Sequence, residues 1–355
     1  MKIQMDYSRQ GLELDAPETA DVFLVSEMRP LEDEAAAIRT ALRSPIGSSP
    51  LKDRLRPGVT VALVHTDITR ATPNDRLLPV ILAELEAGGI RREDITLING
   101  LGTHRPQTEA ELRAMLGDEV VDHYRCVQHD ATNAAGLVSL GETQLGHPLW
   151  VNRALMEADL KILTGFIEPH FFAGYSGGPK AILPGVAGSA SIFTNHGPAM
   201  IANPNAGFDR TVGNPIWEEM LEAALRVENT FLVNVTLNRE NAITGVFAGD
   251  LQAAHAAGCD FVRQSSRFEI SEPYDVVVTT NSGYPLDQNL YQCVKGLAAA
   301  ARVVRPGGAI LLLAACEEGL PDHGEYARLL REAGSPQAVL RSEERRVGKE
   351  CRARW

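Results

Sequence analysis

The sequence predicts an α/β protein with two α/β domains and largely parallel sheets. Apolar runs typical of buried strands alternate with segments of helical periodicity along most of its 355 residues. A hydrophobic content of 44% lets a chain of this length bury sizeable cores and leaves room for a second domain. In such folds the carboxyl ends of parallel strands carry the functional loops, so functional residues are expected in the segments that follow each strand.

Residues 1–271 are predicted to form the first domain, and Met1–Asp6 has the pattern of a strand. The further predicted strands are Thr60–His65, Ile95–Ile98, Leu160–Thr164 and Phe231–Leu237, and the predicted helices are Asp75–Ala87, Thr108–Leu116 and Asp250–Arg263. Strand Leu160–Thr164 is followed by a glycine-dense loop instead of a helix. Catalytic groups are often displayed where a rigid sheet gives way to such irregular backbone.

Residues 272–340 are predicted to form a second, partial α/β domain. It would contain strand Tyr274–Thr280, helix Asn289–Ala301 and strand Ala309–Ala314, after a polar stretch that places the boundary near Glu272. The composition changes abruptly at residues 341–355, which carry six basic and three acidic residues without αβ periodicity. We therefore predict a truncated second domain that ends in a non-native tail.

Charge and composition exclude several function classes. The net charge of -12 argues against nucleic acid or an anionic membrane as the main partner. No apolar run reaches membrane-spanning length, and the first residues lack the apolar core of a signal peptide. The five cysteines have no CxxC spacing, so neither a disulfide framework nor a zinc site is predicted. A cytoplasmic location fits these features.

The loop from Pro169 to Gly185 is the most informative segment, because it places His170 and Lys180 among glycines. A phosphate-binding loop would need Gly-Lys-Ser/Thr, whereas Pro179 precedes Lys180 and Ala181 follows it. A solvated lysine in a purely structural loop is the plain alternative. A partly buried lysine amine can instead form a covalent bond to carbonyl-type carbon.

Further motifs accompany this loop in order along the chain. They are Asp67-Ile68-Thr69-Arg70 with Pro73, Gly102-Thr103-His104-Arg105-Pro106, Asn195-His196-Gly197-Pro198, Gly213-Asn214-Pro215, and Asp287-Gln288-Asn289-Leu290-Tyr291-Gln292-Cys293-Val294-Lys295-Gly296. With His170 and Lys180 they resemble the nickel-dependent lactate racemase family over most of the chain.

The resemblance implies a nickel-pincer nucleotide, that is, Ni(II)-pyridinium-3,5-bisthiocarboxylate mononucleotide, tethered covalently at Lys180. It also implies separate cofactor-biosynthesis proteins and an active site in the cleft between the domains. The positions that match the family's site residues are His196 for the nickel ligand, Asp67, Ile68, Thr69 and Arg70 for cofactor contacts, His104 and His170 for acid/base catalysis, and Arg70, Gln292 and Lys295 for substrate binding.

The chemistry of a small 2-hydroxy acid fits this set. Removal of the α-hydrogen as a proton would place negative charge beside a carboxylate, so its removal as hydride to a cationic pyridinium is easier. A histidine on each side could take the hydroxyl proton of either enantiomer. A planar, bidentate cation such as Arg70 suits the substrate carboxylate. The predicted activity is therefore a racemase or epimerase that inverts the carbinol carbon of lactate or a related acid.

Plainer interpretations exist for individual residues. His104 could bond to loop backbone, His196 could cap nearby backbone, Asp67 could cap a helix, and Gln292 with Lys295 could line a solvated helix face. Two alternative functions fit parts of the sequence. Gly100-Leu101-Gly102 after a strand would suit an NAD-dependent 2-hydroxy acid dehydrogenase, although Arg105 stands where that fingerprint has its third glycine. A truncated chain could also be a remnant that binds the nickel-pincer nucleotide but is catalytically incompetent.

Overall fold

The computed structural model describes residues 1–24, 28–320 and 326–338. The strands are β1 (Lys2–Met5), β2 (Leu12–Asp15), β3 (Val61–Thr66), β4 (Ile95–Gly100), β5 (Arg125–Gln128), β6 (Leu137–Glu142), β7 (Pro148–Asn152), β8 (Leu160–Phe166), β9 (Pro169–His170), β10 (Gly174–Tyr175), β11 (Thr230–Leu237), β12 (Ile243–Gly249), β13 (Tyr274–Thr280) and β14 (Val304–Leu313). The helices are α1 (Glu34–Arg43), α2 (Asn74–Ala87), α3 (Glu109–Leu116), α4 (Asp118–His123), α5 (Arg153–Glu157), α6 (Ser189–Asn195), α7 (Pro198–Ile201), α8 (Pro215–Leu225), α9 (Leu251–Ser266), α10 (Val294–Ala300) and α11 (Tyr326–Ala333).

The chain divides into two compact units. The larger unit is Leu24–Arg267, and the smaller unit joins Met1–Phe23 to the segment that begins at Phe268. The sequence places a boundary near Glu272 but assigns the first residues to the N-terminal domain, whereas in the structure they group with the C-terminal segment. The predicted non-native tail, residues 341–355, lies outside the described residues.

A six-stranded sheet in the order β12-β11-β8-β3-β4-β5 organises the larger unit. All neighbouring pairs in this sheet are parallel except β11 and β12. Parallel strands covered on both faces are expected to be buried along their length and mostly apolar, and β3 and β8 are buried at every residue except Thr66. The predicted α/β class with largely parallel sheets is confirmed.

Alternating side chains of the central strands feed two cores. Ala62 and Val64 of β3 lie in one apolar cluster, and Val61 and Leu63 lie in the other. The first cluster also contains Ile182, Leu183 and Val186, which follow Lys180 in the chain. The glycine-dense loop is thus anchored in the core by its own apolar residues.

Helices α3 and α9 begin where their capping residues predict. The Thr108 side chain and Glu111 form a reciprocal capping box at the start of α3. The Asp250 carboxylate accepts hydrogen bonds from the amides of Gln252 and Ala253 at the start of α9. These local signals explain why the predicted and observed helix bounds differ there by only a few residues.

The smaller unit contains the antiparallel pair β1–β2 and the parallel pair β13–β14. Asp287, which is buried, accepts hydrogen bonds from the amide of Ser8 at 2.8 Å and from the amide of Ala315 at 3.0 Å. This carboxylate therefore ties the N-terminal segment to the motif that precedes α10. Among the described residues of both units, we find no helix with the length and apolarity needed to cross a membrane.

Candidate active site

The predicted site residues of the larger unit follow three adjacent strands. Asp67 comes directly after β3, His104 follows β4, and His170 and Lys180 follow β8. Strands β4 and β5 lie on one side of β3, whereas β8 and β11 lie on the other, so β3 marks the point where the strand order reverses. In open α/β sheets ligands bind outside the carboxyl ends of the strands at this point.

Asp67 is the centre of the turn after β3. Its carboxylate is 2% exposed and accepts hydrogen bonds from the amide and hydroxyl of Thr69. The same carboxylate lies 3.0 Å from Nδ1 of His104 and 3.9 Å from Nε of Arg70. Burial opposes ionisation, but the adjacent His104 and Arg70 outweigh it, and the pKa of Asp67 falls below its ordinary value. Asp67 is thus an anion that holds two site side chains, with Ile68 half-buried beside it.

His104 is oriented by this carboxylate. An ionised carboxylate can only accept, so Nδ1 of His104 donates to Oδ2 of Asp67. In the neutral ring the other nitrogen, Nε2, is then an acceptor. The loop that carries His104 is joined to the glycine-dense loop, because the amide of Gly102 donates to the carbonyl of Gly185 at 2.9 Å.

His170 is set in the opposite tautomer. Its Nδ1 accepts a hydrogen bond from the amide of Ala173 at 3.2 Å, which puts the proton of the neutral ring on Nε2. The ring is 8% exposed and packs on Phe171 at 4.9 Å and edge-on to Phe172 at 4.5 Å between ring centroids. His170 is therefore held by backbone and aromatic contacts.

Lys180 and His196 lie around the ring of Phe172. The Lys180 amine is 5.7 Å from the centroid of that ring, and the His196 ring lies edge-on to it at 5.1 Å. Burial and the positive charges of Lys180 and Arg70 lower the pKa of His196 to about 3. His196 is consequently neutral, the form in which imidazole binds a metal.

The surroundings of His196 fit a metal ion whose other ligands come from a bound cofactor. Nδ1 of His196 is buried and has no hydrogen-bond partner among the described residues. Within the described ranges no three His, Cys, Asp or Glu side chains are grouped so that they could hold a metal ion by themselves. A cofactor that supplies its own donors and takes one imidazole from the protein would satisfy this orphaned nitrogen.

Two residues that support the glycine-dense loop are absent from the sequence-based site. Asn234 of β11 and His255 of α9 are both buried and bond to the backbone just before Lys180. An asparagine in the middle of the mostly apolar strand β11 is the sequence signal for Asn234. His255 lies outside the sequence motifs, and the structure places it in the interior.

A buried carboxylate lies behind His196. Glu219 of α8 accepts hydrogen bonds from Thr143 at 2.6 Å, from His147 at 2.8 Å and from the Asn195 amide at 2.9 Å. Asn195 directly precedes His196, so this network holds the end of α6 on which the candidate metal ligand lies. His147 also lies outside the sequence motifs, and the structure places it in this network.

Gln292 and Lys295 belong to the smaller unit. The prediction that both lie on one helix is wrong, because α10 begins at Val294 and Gln292 precedes it in a turn. Gln292 is 9% exposed, and its backbone amide bonds to the side chain of Asn289 at 3.1 Å. The turn forms there because an asparagine side chain competes for backbone amides that a helix would otherwise use.

Comparisons with known proteins bear on the whole chain. Residues 6–209 match the family model of the lactate racemase N-terminal domain, and residues 270–351 match that of the lactate racemase C-terminal domain. A lactate racemase from Thermoanaerobacterium thermosaccharolyticum is 35% identical over 342 residues, 95% of this chain and 80% of the relative. A lactate racemase from Lactiplantibacillus plantarum is 37% identical over 296 residues, 83% of this chain and 69% of the relative.

Solved structures agree. The lactate racemase apoprotein from Thermoanaerobacterium thermosaccharolyticum superposes with a TM-score of 0.88 at 35% identity, covering 98% of this chain and 82% of that one. A protein from Thermotoga maritima shares the fold with a TM-score of 0.60 at 23% identity, over 72% of this chain and 64% of that one.

Proposed function

The chain belongs to the lactate racemase family, and from this premise we propose that it inverts the carbinol carbon of lactate or a closely related 2-hydroxy acid. The observation that carries the proposal is the cluster at the carboxyl ends of β3, β4 and β8. It combines a histidine paired with a buried carboxylate, a guanidinium, and a lysine and an imidazole around one aromatic ring, and Nδ1 of that imidazole has no hydrogen-bond partner in the described part of the chain.

His104 is the proposed base for one enantiomer. With its Nδ1–H held by Asp67, its Nε2 can take the hydroxyl proton as the α-hydrogen leaves. The imidazolium that forms is stabilised by the Asp67 carboxylate 3.0 Å away. When the proton returns to oxygen, the ring recovers the tautomer in which it began.

His170 is the proposed partner on the other side of the substrate. In its described tautomer Nε2 carries the proton, so the ring can donate to a substrate oxygen. To act as base for the second enantiomer it must free Nε2, which means giving up the bond from the Ala173 amide. The two directions of racemisation would therefore start from histidines in different tautomers, with the proton on Nδ1 in His104 and on Nε2 in His170.

Arg70 is the proposed carboxylate contact. Its guanidinium is part-exposed and lies near Asp67, which leaves donors available in the planar fork that a carboxylate fits. Gln292 and Lys295 are carried over as proposed substrate contacts because they match the family's motif. The substrate remains a small 2-hydroxy acid, with lactate the first candidate.

The lactate racemase family uses a nickel cofactor. We assign its covalent attachment to Lys180, its metal ligand to His196, and its further contacts to Asp67, Ile68, Thr69 and Arg70. The bound nickel-pincer nucleotide would supply an electron sink suited to reversible hydride transfer. Separate biosynthesis proteins would have to provide it, so protein from an unsupplied host would lack the cofactor.

The test is mass spectrometry of the peptide containing Lys180, from protein produced together with the cofactor-biosynthesis proteins and nickel. We expect a covalent adduct on Lys180, none in Lys180→Arg, and nickel content reduced in His196→Ala. Chiral chromatography of L-lactate incubated with the loaded protein should show D-lactate without any added NAD. An unmodified Lys180, in conditions that load an authentic lactate racemase, would contradict the proposal. An adduct without turnover would leave a cofactor-binding protein that lacks the proposed activity.

A further inference from the structure

We propose that Asn234 and His255 are positioning residues which hold the backbone before Lys180, and that they set how readily Lys180 acquires its cofactor. The inference rests on the proposed function for the role of Lys180. Neither residue belongs to the motifs that mark the family in the sequence. Each reaches the loop from a different element, Asn234 from β11 and His255 from α9.

Asn234 holds the amide side of the loop. Its side chain is fully buried on β11, in register with Gly165 of β8, and its Oδ1 accepts a hydrogen bond from the amide of Gly178 at 2.7 Å. A Cβ on Gly177 would lie 2.5 Å from this oxygen, and the φ of +71° at Gly177 also favours glycine. Because Gly177 has no Cβ, the Asn234 side chain can lie this close to the loop backbone.

His255 holds the carbonyl side. A carbonyl can only accept, so Nε2 of His255 donates to the oxygen of Ser176 at 2.8 Å, and Nδ1 accepts from the thiol of Cys259 at 3.4 Å. The ring stacks on Trp217 at 4.9 Å. A Cβ on Gly178 would lie 2.5 Å from the ring carbon Cδ2, so the imidazole rests directly on the loop backbone.

The two bonds hold both sides of Gly177. The carbonyl before it and the amide after it are fixed by side chains, and the turn that carries Lys180 begins at Gly178. The amide of Lys180 bonds back to the carbonyl of Gly177 at 3.1 Å. Rotation of either peptide would therefore redirect the lysine. In the tethering step the lysine amine would form the C–N bond of a thioamide at a thiocarboxylate carbon of the cofactor while water leaves, and the rate of such an attack depends steeply on the orientation of the amine.

Core packing alone does not account for the choice of residues. An asparagine in the middle of a buried strand costs free energy unless its amide is bonded, and leucine or valine would pack there at lower cost. The same holds for an imidazole in an apolar interior. Polar groups at both positions are explained by the need to bond backbone that cannot satisfy itself within the tight turn.

The test compares four variants with the wild type. His255→Phe keeps a flat ring on Trp217 but removes the donor, whereas His255→Gln keeps a donor near the position of Nε2. Asn234→Leu keeps the shape of the side chain and removes the acceptor. Ile81→Val lowers stability from the opposite core cluster without touching the loop. Asn234→Ser replaces Asn234→Leu should the latter fail to fold.

Two readouts are taken. Hydrogen exchange of the peptide spanning residues 176–181 is measured on protein without cofactor, and the rate of adduct formation at Lys180 is measured by mass spectrometry. We expect His255→Phe and Asn234→Leu to speed exchange about 10-fold and to slow adduct formation about 10-fold, since loss of one buried hydrogen bond of about 1.4 kcal/mol is a factor of ten. His255→Gln should recover most of both rates, and Ile81→Val should change neither.

The outcomes separate the two proposals. Exchange and adduct formation that are unchanged in His255→Phe and Asn234→Leu, with a normal adduct in the wild type, would overturn the positioning role alone. No adduct in the wild type would overturn both the tether at Lys180 and the proposed effect of these residues on cofactor loading. The hydrogen-exchange data would still decide whether the two side chains hold the loop. Equal effects in Ile81→Val would reduce the role to general stability and overturn the inference.

Discussion

Replacement of Asp67 by asparagine tests the proposed base most directly. The substitution keeps the size of a side chain that is 2% exposed, and it removes the charge that faces His104 at 3.0 Å. The side-chain carbonyl oxygen of asparagine can still accept the hydrogen bond from the Thr69 amide, so the local backbone conformation is expected to be kept. The change therefore isolates the charge of the carboxylate.

The magnitude follows from the lost contact. A hydrogen bond to a charged group contributes about 1.5–3 kcal/mol. If this energy is realised when His104 becomes an imidazolium, the rate of racemisation falls by about 10- to 100-fold, at about 1.4 kcal/mol for each factor of ten. We expect kcat to fall and KM to change little, because the pair acts when the proton moves.

The assay is chiral chromatography of lactate from each pure enantiomer, with rates divided by the fraction of protein that carries the Lys180 adduct. Asp130→Asn is the matched control, because the exposed Asp130 also accepts hydrogen bonds from the amide and hydroxyl of the threonine two residues on, at 2.9 Å and 2.7 Å. A loaded Asp67→Asn enzyme with the wild-type rate, or an equal loss in Asp130→Asn, would refute the role of this carboxylate.

Three further outcomes are expected. Arg70→Lys should raise KM for lactate about 10-fold or more with a smaller effect on kcat, because an ammonium cannot form the bidentate pair; initial rates over a range of lactate concentrations measure this, and an unchanged KM would remove Arg70 as the carboxylate contact. Burial lowers the pKa of His255 from 6.5 to about 4, so the unfolded chain binds an extra proton between these values. This contribution to stability is full above pH 6.5 and is lost as pH falls towards 4, by about 3 kcal/mol at most. Urea unfolding should show a shallower pH dependence in His255→Phe, and parallel curves would contradict it. Glu219→Gln should lower the free energy of unfolding by about 1–3 kcal/mol by weakening three buried hydrogen bonds, whereas Glu222→Gln on the same helix should cost less; equal melting temperatures would argue against the network.

The central strands are predictable from the sequence because most of their residues are apolar and buried. Strands β3, β4 and β8 are buried runs in a parallel sheet, and their predicted bounds agree with the structure to within two residues. Strand β12 was missed because it contains glycine and lies at the sheet edge, where the apolar signal is weak. The predicted helix Asn289–Ala301 is longer than α10, because the residues directly before Val294 form a turn.

The sequence by itself determined the α/β class and the motif residues from Asp67 to Lys295, since periodicity and motif order are properties of neighbouring residues. Only the tertiary structure decided that Asp67 holds His104, and that the two histidines have opposite tautomers. It also decided that Asn234 and His255 support the Lys180 loop and that the first 23 residues group with the C-terminal segment. Those contacts join residues far apart in the chain, as Gly178 and Asn234 are by 56 positions. They depend on the order of strands in the sheet, which local sequence does not encode.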